Sequence, residues 1–290
     1  MQPFKTVLCV DGSASKQNKR PVYCVRQERN PAITRFRHSD GVLAVLDKTL
    51  ESDLPRPLLI TADVPIGLPA AFPEVWREFG GFLPWLDARG HADWGSIVVD
   101  SVAKQTARTP FVVCKKGEKK LGGKFPLRKC DVITNAESMY WCIGGRQVGK
   151  AALQFWRDTL IRLRSELRDE IAVWPFEPIS GKAMVVAECY PAILYPTVWQ
   201  RRVTKTSPLD VVDALYGRRE ISPTLCDERT WLHAASSEDE FDIFTTAVAI
   251  AEKKGDAEIL LTAPEYAKPV EGWMLLLRPE PLVGRCNGAL

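Results

Sequence analysis

Pro57-Leu58-Leu59-Ile60-Thr61-Ala62-Asp63-Val64-Pro65-Ile66-Gly67-Leu68-Pro69 changes character abruptly at Asp63. The first half is apolar with a β-branched centre, and its length suits a buried strand. The second half sets Pro65, Gly67 and Pro69 at alternate positions, which stops both helix and ladder. Asp63 is therefore expected at the C-terminal edge of the strand. The pattern recurs on both sides of this segment. Thr6 to Val10 predicts a short buried strand ending on Asp11-Gly12-Ser13, and Met184 to Ala187 predicts another that leads into Glu188. Three strands thus each deliver a carboxylate at or just past their ends.

Helical patterns separate these strands. Residues 40 to 54 carry Val42, Leu43, Val45, Leu46 and Leu50 at helical spacing, after a hairpin partner at Pro21 to Gln27. Ala151 to Ile171 is the most periodic helix, with Leu153, Trp156, Leu160, Leu163 and Leu167 on one face, and Trp174-Pro175-Phe176 ends it. Glu238 to Lys253 predicts a later helix with Asp242 in its first turns and Ser236 or Ser237 as N-cap. The expected fold is α/β, a mixed sheet flanked by helices, in one domain spanning 1–290 with a basic loop at about 115–130.

In open α/β sheets the ligand site lies outside the carboxyl ends of the strands. Carboxylates converging there repel one another and lose solvation, so they call for a cation. Mg²⁺ or Mn²⁺ suits such hard oxygen donors, and two ions roughly 3.5–4 Å apart suit phosphodiester cleavage. Asp11, Asp63, Glu188 and Asp242 are the candidate catalytic and metal-binding residues, with Asp239 competing with Asp242 for the fourth place. In that arrangement Asp11 and Asp63 bind or bridge the metals, Glu188 completes their ligand set and Asp242 holds the second ion. The competing reading makes each acid a solvated strand end or a helix-cap residue.

Asp11-Gly12, Ala62-Asp63-Val64-Pro65-Ile66-Gly67-Leu68-Pro69 and Ala187-Glu188-Cys189-Tyr190-Pro191-Ala192 together resemble the motifs of the DUF429 family of predicted RNase H-like nucleases. The likeness runs from residue 7 to about 253, with Glu240-Phe241-Asp242-Ile243-Phe244-Thr245-Thr246-Ala247 standing where that family carries a late helical Asp. Gly144 to Lys150 and Trp174-Pro175-Phe176 also resemble segments of some members. The late helix departs from the commoner His/Asp-Asp-Ala pattern of that family, having Phe241-Asp242-Ile243-Phe244 instead. The resemblance implies an RNase H-like fold and metal-dependent nuclease activity.

Substrate contacts are expected from two basic segments. Lys115, Lys116, Lys119, Lys120, Lys124, Arg128 and Lys129 lie among glycines, with Phe125 between them, a composition that suits a phosphate backbone as well as a solvated loop. Arg146, Gln147 and Lys150 follow two glycines and precede a helix whose N-terminus favours anions. The segment is no Walker A motif, because Ala151 follows the lysine. Nucleic acid, DNA or RNA, is the expected partner. Two other functions are weighed: a non-catalytic nucleic-acid-binding module, and an ATP-dependent phosphotransferase of the actin-like or sugar-kinase type, suggested by Ser13, Ser15 and Lys16 after Asp11.

Composition excludes several other classes. The chain has 290 residues, 46% hydrophobic and 26% charged, with a formal net charge of +3, so any affinity for nucleic acid must come from local clustering. Eight cysteines are scattered without a C-x-x-C pair, and His38, His91 and His233 stand alone, which disfavours zinc and predicts reduced, buried thiols. No G-x-S-x-G elbow occurs. The chain shows no membrane-spanning run and no signal-peptide pattern, which predicts a cytoplasmic location away from membranes.

Overall fold

The computed structural model describes residues 3–12, 21–36, 54–70, 77–90, 92–101, 109–113, 127–140, 148–267 and 271–278, together with isolated residues 104, 106, 142 and 269. Residues 40–53 of the helix expected at 40–54 lie outside the described residues, as do Ser13, Ser15 and Lys16, Lys115 to Lys124, Arg146 and Gln147.

Eight strands are described: β1 (Thr6–Asp11), β2 (Val22–Arg26), β3 (Ala32–Arg35), β4 (Leu58–Asp63), β5 (Val98–Val99), β6 (Phe111–Val112), β7 (Ile171–Val173) and β8 (Met184–Glu188). Six form one sheet in the order β3-β2-β1-β4-β8-β7, and β5 pairs with β6 alone. The first three strands form an antiparallel meander, and β4, β8 and β7 run parallel to β1. Parallel neighbours need long connections, and the described helices lie in the connection from β4 to β7 and after β8. The α-helices among the described residues are α1 (Phe82–Arg89), α2 (Lys129–Thr134), α3 (Val148–Phe155), α4 (Ile161–Leu167), α5 (Tyr195–Trp199), α6 (Pro208–Ile221), α7 (Glu228–Ala234), α8 (Glu238–Glu252) and α9 (Ala257–Leu260). This is an α/β architecture with a six-stranded mixed sheet flanked by helices, compatible with an RNase H-like fold. Among the described residues no helix is long and apolar enough to cross a membrane.

β1, β4 and β8 are largely apolar and buried along their length because both faces of the sheet are covered there. Val7 and Cys9 of β1, Leu59 of β4, and Val185 and Ala187 of β8 pack on one side, against Phe241, Phe244 and Val248 of α8. Leu8 and Val10, Ile60 and Ala62, and Val186 pack on the other, against Phe82, Trp85, Phe155 and Trp156. Helix α8 starts where the sequence predicts, with the Ser237 side chain accepting from the Glu240 N–H. Six cysteines are free among the described residues; five are buried and Cys226 is half-buried.

Two differences from the expected elements have clear causes. The long helix expected over 151–171 begins at Val148, and one π-helical turn, Trp156–Leu160, separates α3 from α4. That turn changes which residues face inward, so Phe155 and Ile161 are buried whereas Leu153 and Leu167 are only half-buried. The end of the same apolar run, Ile171–Val173, is the edge strand β7, because it pairs with β8. Periodicity cannot separate a helix end from a three-residue strand.

Candidate functional site

The carboxylates gather where the strand pattern predicts, but side-chain parity divides them. Asp11 and Asp63 are Cα partners across the parallel β1/β4 pair. Both continue the alternation of Cys9 and Thr61, which directs them to the α8 side of the sheet. Glu188 pairs with Ala62, one residue earlier in register, and so falls in the opposite phase. Asp242 approaches from α8 and Lys205 from the turn before α6. All of these residues line one pocket of 640 Å³ at the C-terminal edge of the sheet, together with Arg128, Asp131, Glu137, Tyr195 and Asp239.

Glu188 is held by Arg128. Arg128 Nη1 donates to Glu188 Oε2 at 2.6 Å and Nη2 to Oε1 at 2.7 Å, while the Ile66 N–H donates to Oε2 at 2.7 Å. The same guanidinium reaches Asp131 through Nε at 3.0 Å and Nη2 at 2.7 Å. Arg128 is fully buried, so this residue, expected on a solvated loop as a phosphate contact, instead clamps two carboxylates. Burial raises the Glu188 carboxyl above the usual glutamate range, and the Arg128 fork with the Ile66 N–H opposes that rise.

The aspartates make a different group. Asp63 is half-buried where it lines the pocket. Desolvation pushes its carboxyl well above the usual range, and the charges of Asp242 and Asp11 push it further. Asp242 is buried; Lys205 Nζ donates to its Oδ2 at 2.5 Å and Tyr195 Oη to its Oδ1. Burial raises Asp242 as well, with Lys205 opposing. Asp239, the competing fourth acid, also lines the pocket but is exposed in the first turn of α8. Nothing in the sequence pattern pointed to Tyr195 or Lys205. A lone Lys before Thr-Ser-Pro and a Tyr before Pro look like ordinary turn and helix-start residues.

The remaining expected contacts are dispersed. Lys129 places its ammonium 3.8 Å above the Tyr266 ring, and its backbone N–H donates to Glu271 Oε2 at 3.0 Å. Lys150 is half-buried on α3. The described part of the basic run is thus structural at its C-terminal end.

Asp11, Asp63 and Asp242 offer the carboxylate oxygens that a hard divalent cation takes. As the side chains stand, no three acidic, histidine or cysteine residues among those described surround one point closely enough to hold an ion. Glu188 does not need a cation, since Arg128 already engages both of its oxygens.

The loop after Asp63 is fixed from outside. Gly67 has φ of 129°, and a Cβ there would lie 2.2 Å from the Glu271 carbonyl oxygen. Trp156 Nε1 donates to the Pro65 carbonyl at 2.8 Å, which ties the π-helical turn to the same loop. Gly67→Ala is expected to destabilise the protein by on the order of 1–3 kcal/mol through strain, since the Ile66 N–H must move with it. Chemical denaturation reads this directly, and an unchanged midpoint would refute it.

No family model matches the chain, and neither a curated protein nor a solved structure matches it. The fold and pocket therefore define a class in structural terms, an α/β protein with an acidic pocket at the C-terminal edge of a mixed sheet.

Proposed function

We propose that this pocket hydrolyses a phosphodiester bond of nucleic acid with the help of Mg²⁺ or Mn²⁺. The observation that carries the reading is the placement of Asp11 and Asp63 in register at the ends of adjacent parallel strands, with Asp242 facing them from α8. The resemblance to RNase H-like nucleases of the DUF429 family supports it. Asp11 and Asp63 are the residues that would hold the ion, with Asp242 beside them. A bound ion supplies positive charge at a phosphate oxygen and makes water more acidic. In the reaction, a water oxygen bonds to phosphorus, the P–O ester bond breaks, and the departing oxygen takes up a proton. The attacking water gives up one proton to solvent as its oxygen bonds to phosphorus. The pocket is large enough to admit a phosphodiester with its flanking sugars.

The test uses labelled single- and double-stranded DNA and RNA oligonucleotides with Mn²⁺, Mg²⁺ or EDTA. Cleavage is expected with the metals, and Asp11→Asn is expected to lower it by at least about a hundredfold with the fold intact. If Asp11→Asn cuts as well as the parent, the reading is wrong. Binding without cutting by the parent would favour the non-catalytic module instead. The phosphotransferase reading rests on residues 13–16, which lie outside the described residues; nucleotide-induced thermal stabilisation would favour it.

A further inference from the structure

We infer that Glu271 is a positioning residue of this pocket, whose carboxylate pins the loop after Asp63 to the start of α2 and so sets where the strand-end acids stand. The inference rests on the proposed phosphodiester chemistry for its effect on turnover, and on geometry alone for its effect on the loop.

Glu271 is buried, yet it is not among the described residues that line the pocket. Its two oxygens serve two different segments. Oε1 accepts from the Ala70 N–H at 3.1 Å, at the far end of the loop that begins after Asp63. Oε2 accepts from the Lys129 N–H at 3.0 Å, at the first residue of α2 and next to Arg128. The backbones cross at the same place. A Cβ on Gly67 would lie 2.2 Å from the Glu271 carbonyl oxygen, and one on Gly272 would lie 2.0 Å from the Ile66 carbonyl oxygen. Three residues further on, the chain reaches Glu188 itself. The Leu275 N–H donates to the Glu188 carbonyl at 2.8 Å, and Met274 forms a parallel bridge with Glu188.

The loop carries this restraint to the acids. The Ile66 N–H donates to Glu188 Oε2 at 2.7 Å. Val64 follows Asp63 directly and packs against Gly12, which follows Asp11 directly; a Cβ on Gly12 would lie 2.6 Å from the Val64 Cβ. A shift of the loop therefore moves a donor to Glu188 and the chain beside both Asp11 and Asp63. A carboxylate suits the pin because both of its oxygens accept. Glutamine accepts on one side only and turns an NH₂ toward the other backbone N–H.

Residue-resolved amide hydrogen exchange of the parent and Glu271→Gln tests this, together with oligonucleotide cleavage kinetics. The reporter is the Ile66 N–H, which is bonded to Glu188 and not to Glu271. It is expected to exchange about tenfold faster in Glu271→Gln, the loss of roughly one buried hydrogen bond from the loop. The Cys9 amide, in the middle of β1, is expected to keep its parental rate. An Ile66 acceleration no greater than that of Cys9 overturns the inference, including the case in which the variant is less stable throughout. In cleavage, Glu271→Gln is expected to lower kcat by about tenfold and to leave KM within about twofold, because the residue does not meet substrate. An unchanged kcat beside a faster Ile66 amide makes Glu271 a structural tie and overturns its role in positioning. A parent that cuts none of the oligonucleotides brings down the proposed function, while the exchange rates still decide whether Glu271 holds the loop.

Discussion

Arg128→Met is expected to lower the unfolding free energy by roughly 3–5 kcal/mol, the cost of breaking a buried ion pair from one side. The arginine is fully buried and serves Glu188 and Asp131 at once. Methionine fills similar volume but leaves two carboxylates in the interior with one backbone donor each, Ile66 N–H for Glu188 and the residue-128 N–H for Asp131. Arg128→Lys is expected to recover little, because an ammonium cannot fork to two carboxylates in one plane. Adding Glu188→Gln to Arg128→Met should return part of the loss by removing one of the stranded charges. Guanidinium chloride unfolding measures all three variants. A loss below about 1 kcal/mol for Arg128→Met would mean that the pair is solvated and not a clamp.

Asp63→Asn is expected to abolish cleavage and, in EDTA, to make the protein more stable than its parent. Burial and the neighbouring Asp242 and Asp11 hold the Asp63 pKa above its unfolded value. Below the unfolded pKa both states carry the proton, and that favourable balance is complete. As pH rises through the folded pKa it is lost, because the folded state must then bury a repelled carboxylate. Asparagine never ionises. Its melting-temperature advantage over the parent should therefore be absent near pH 4 and grow toward pH 8, by roughly 2–4 °C for each kcal/mol relieved. Saturating Mn²⁺ should reverse the order, since only the parent gains from the ion. An Asp63→Asn protein that melts below the parent in EDTA at pH 8 would remove the electrostatic argument for a cation here.

Much of this arrangement was readable from residues, and the parts that were not share a cause. Asp63 is placed by the strand before it and the Pro-Ile-Gly-Leu-Pro turn after it, both of them local signals. Asp11, Glu188 and the Ser237 cap are local in the same way. The relation among the acids is not local. Asp63 and Glu188 each follow four or five apolar residues, and only the pairing of Ala62 with Glu188 shows that they point to opposite sides of the sheet. Arg128 was grouped with its basic neighbours because composition describes a segment, whereas burial is decided by the Glu188 and Asp131 it meets across the fold. Lys205 and Tyr195 depend on the packing of α5 and the α6 turn against α8, which no spacing in the chain encodes.

The π-helical turn at Trp156–Leu160 holds one residue more than an α-helix accommodates in that space. Removing that residue would rotate everything beyond it by about 100° about the helix axis. Related chains should therefore fall into two groups when set against this one. Those that keep Trp156 on the Pro65 carbonyl should run through residues 156–160 without a break. Those that lack the extra residue should show a one-position gap there, followed by an inward-facing pattern shifted by one along the remainder of the helix.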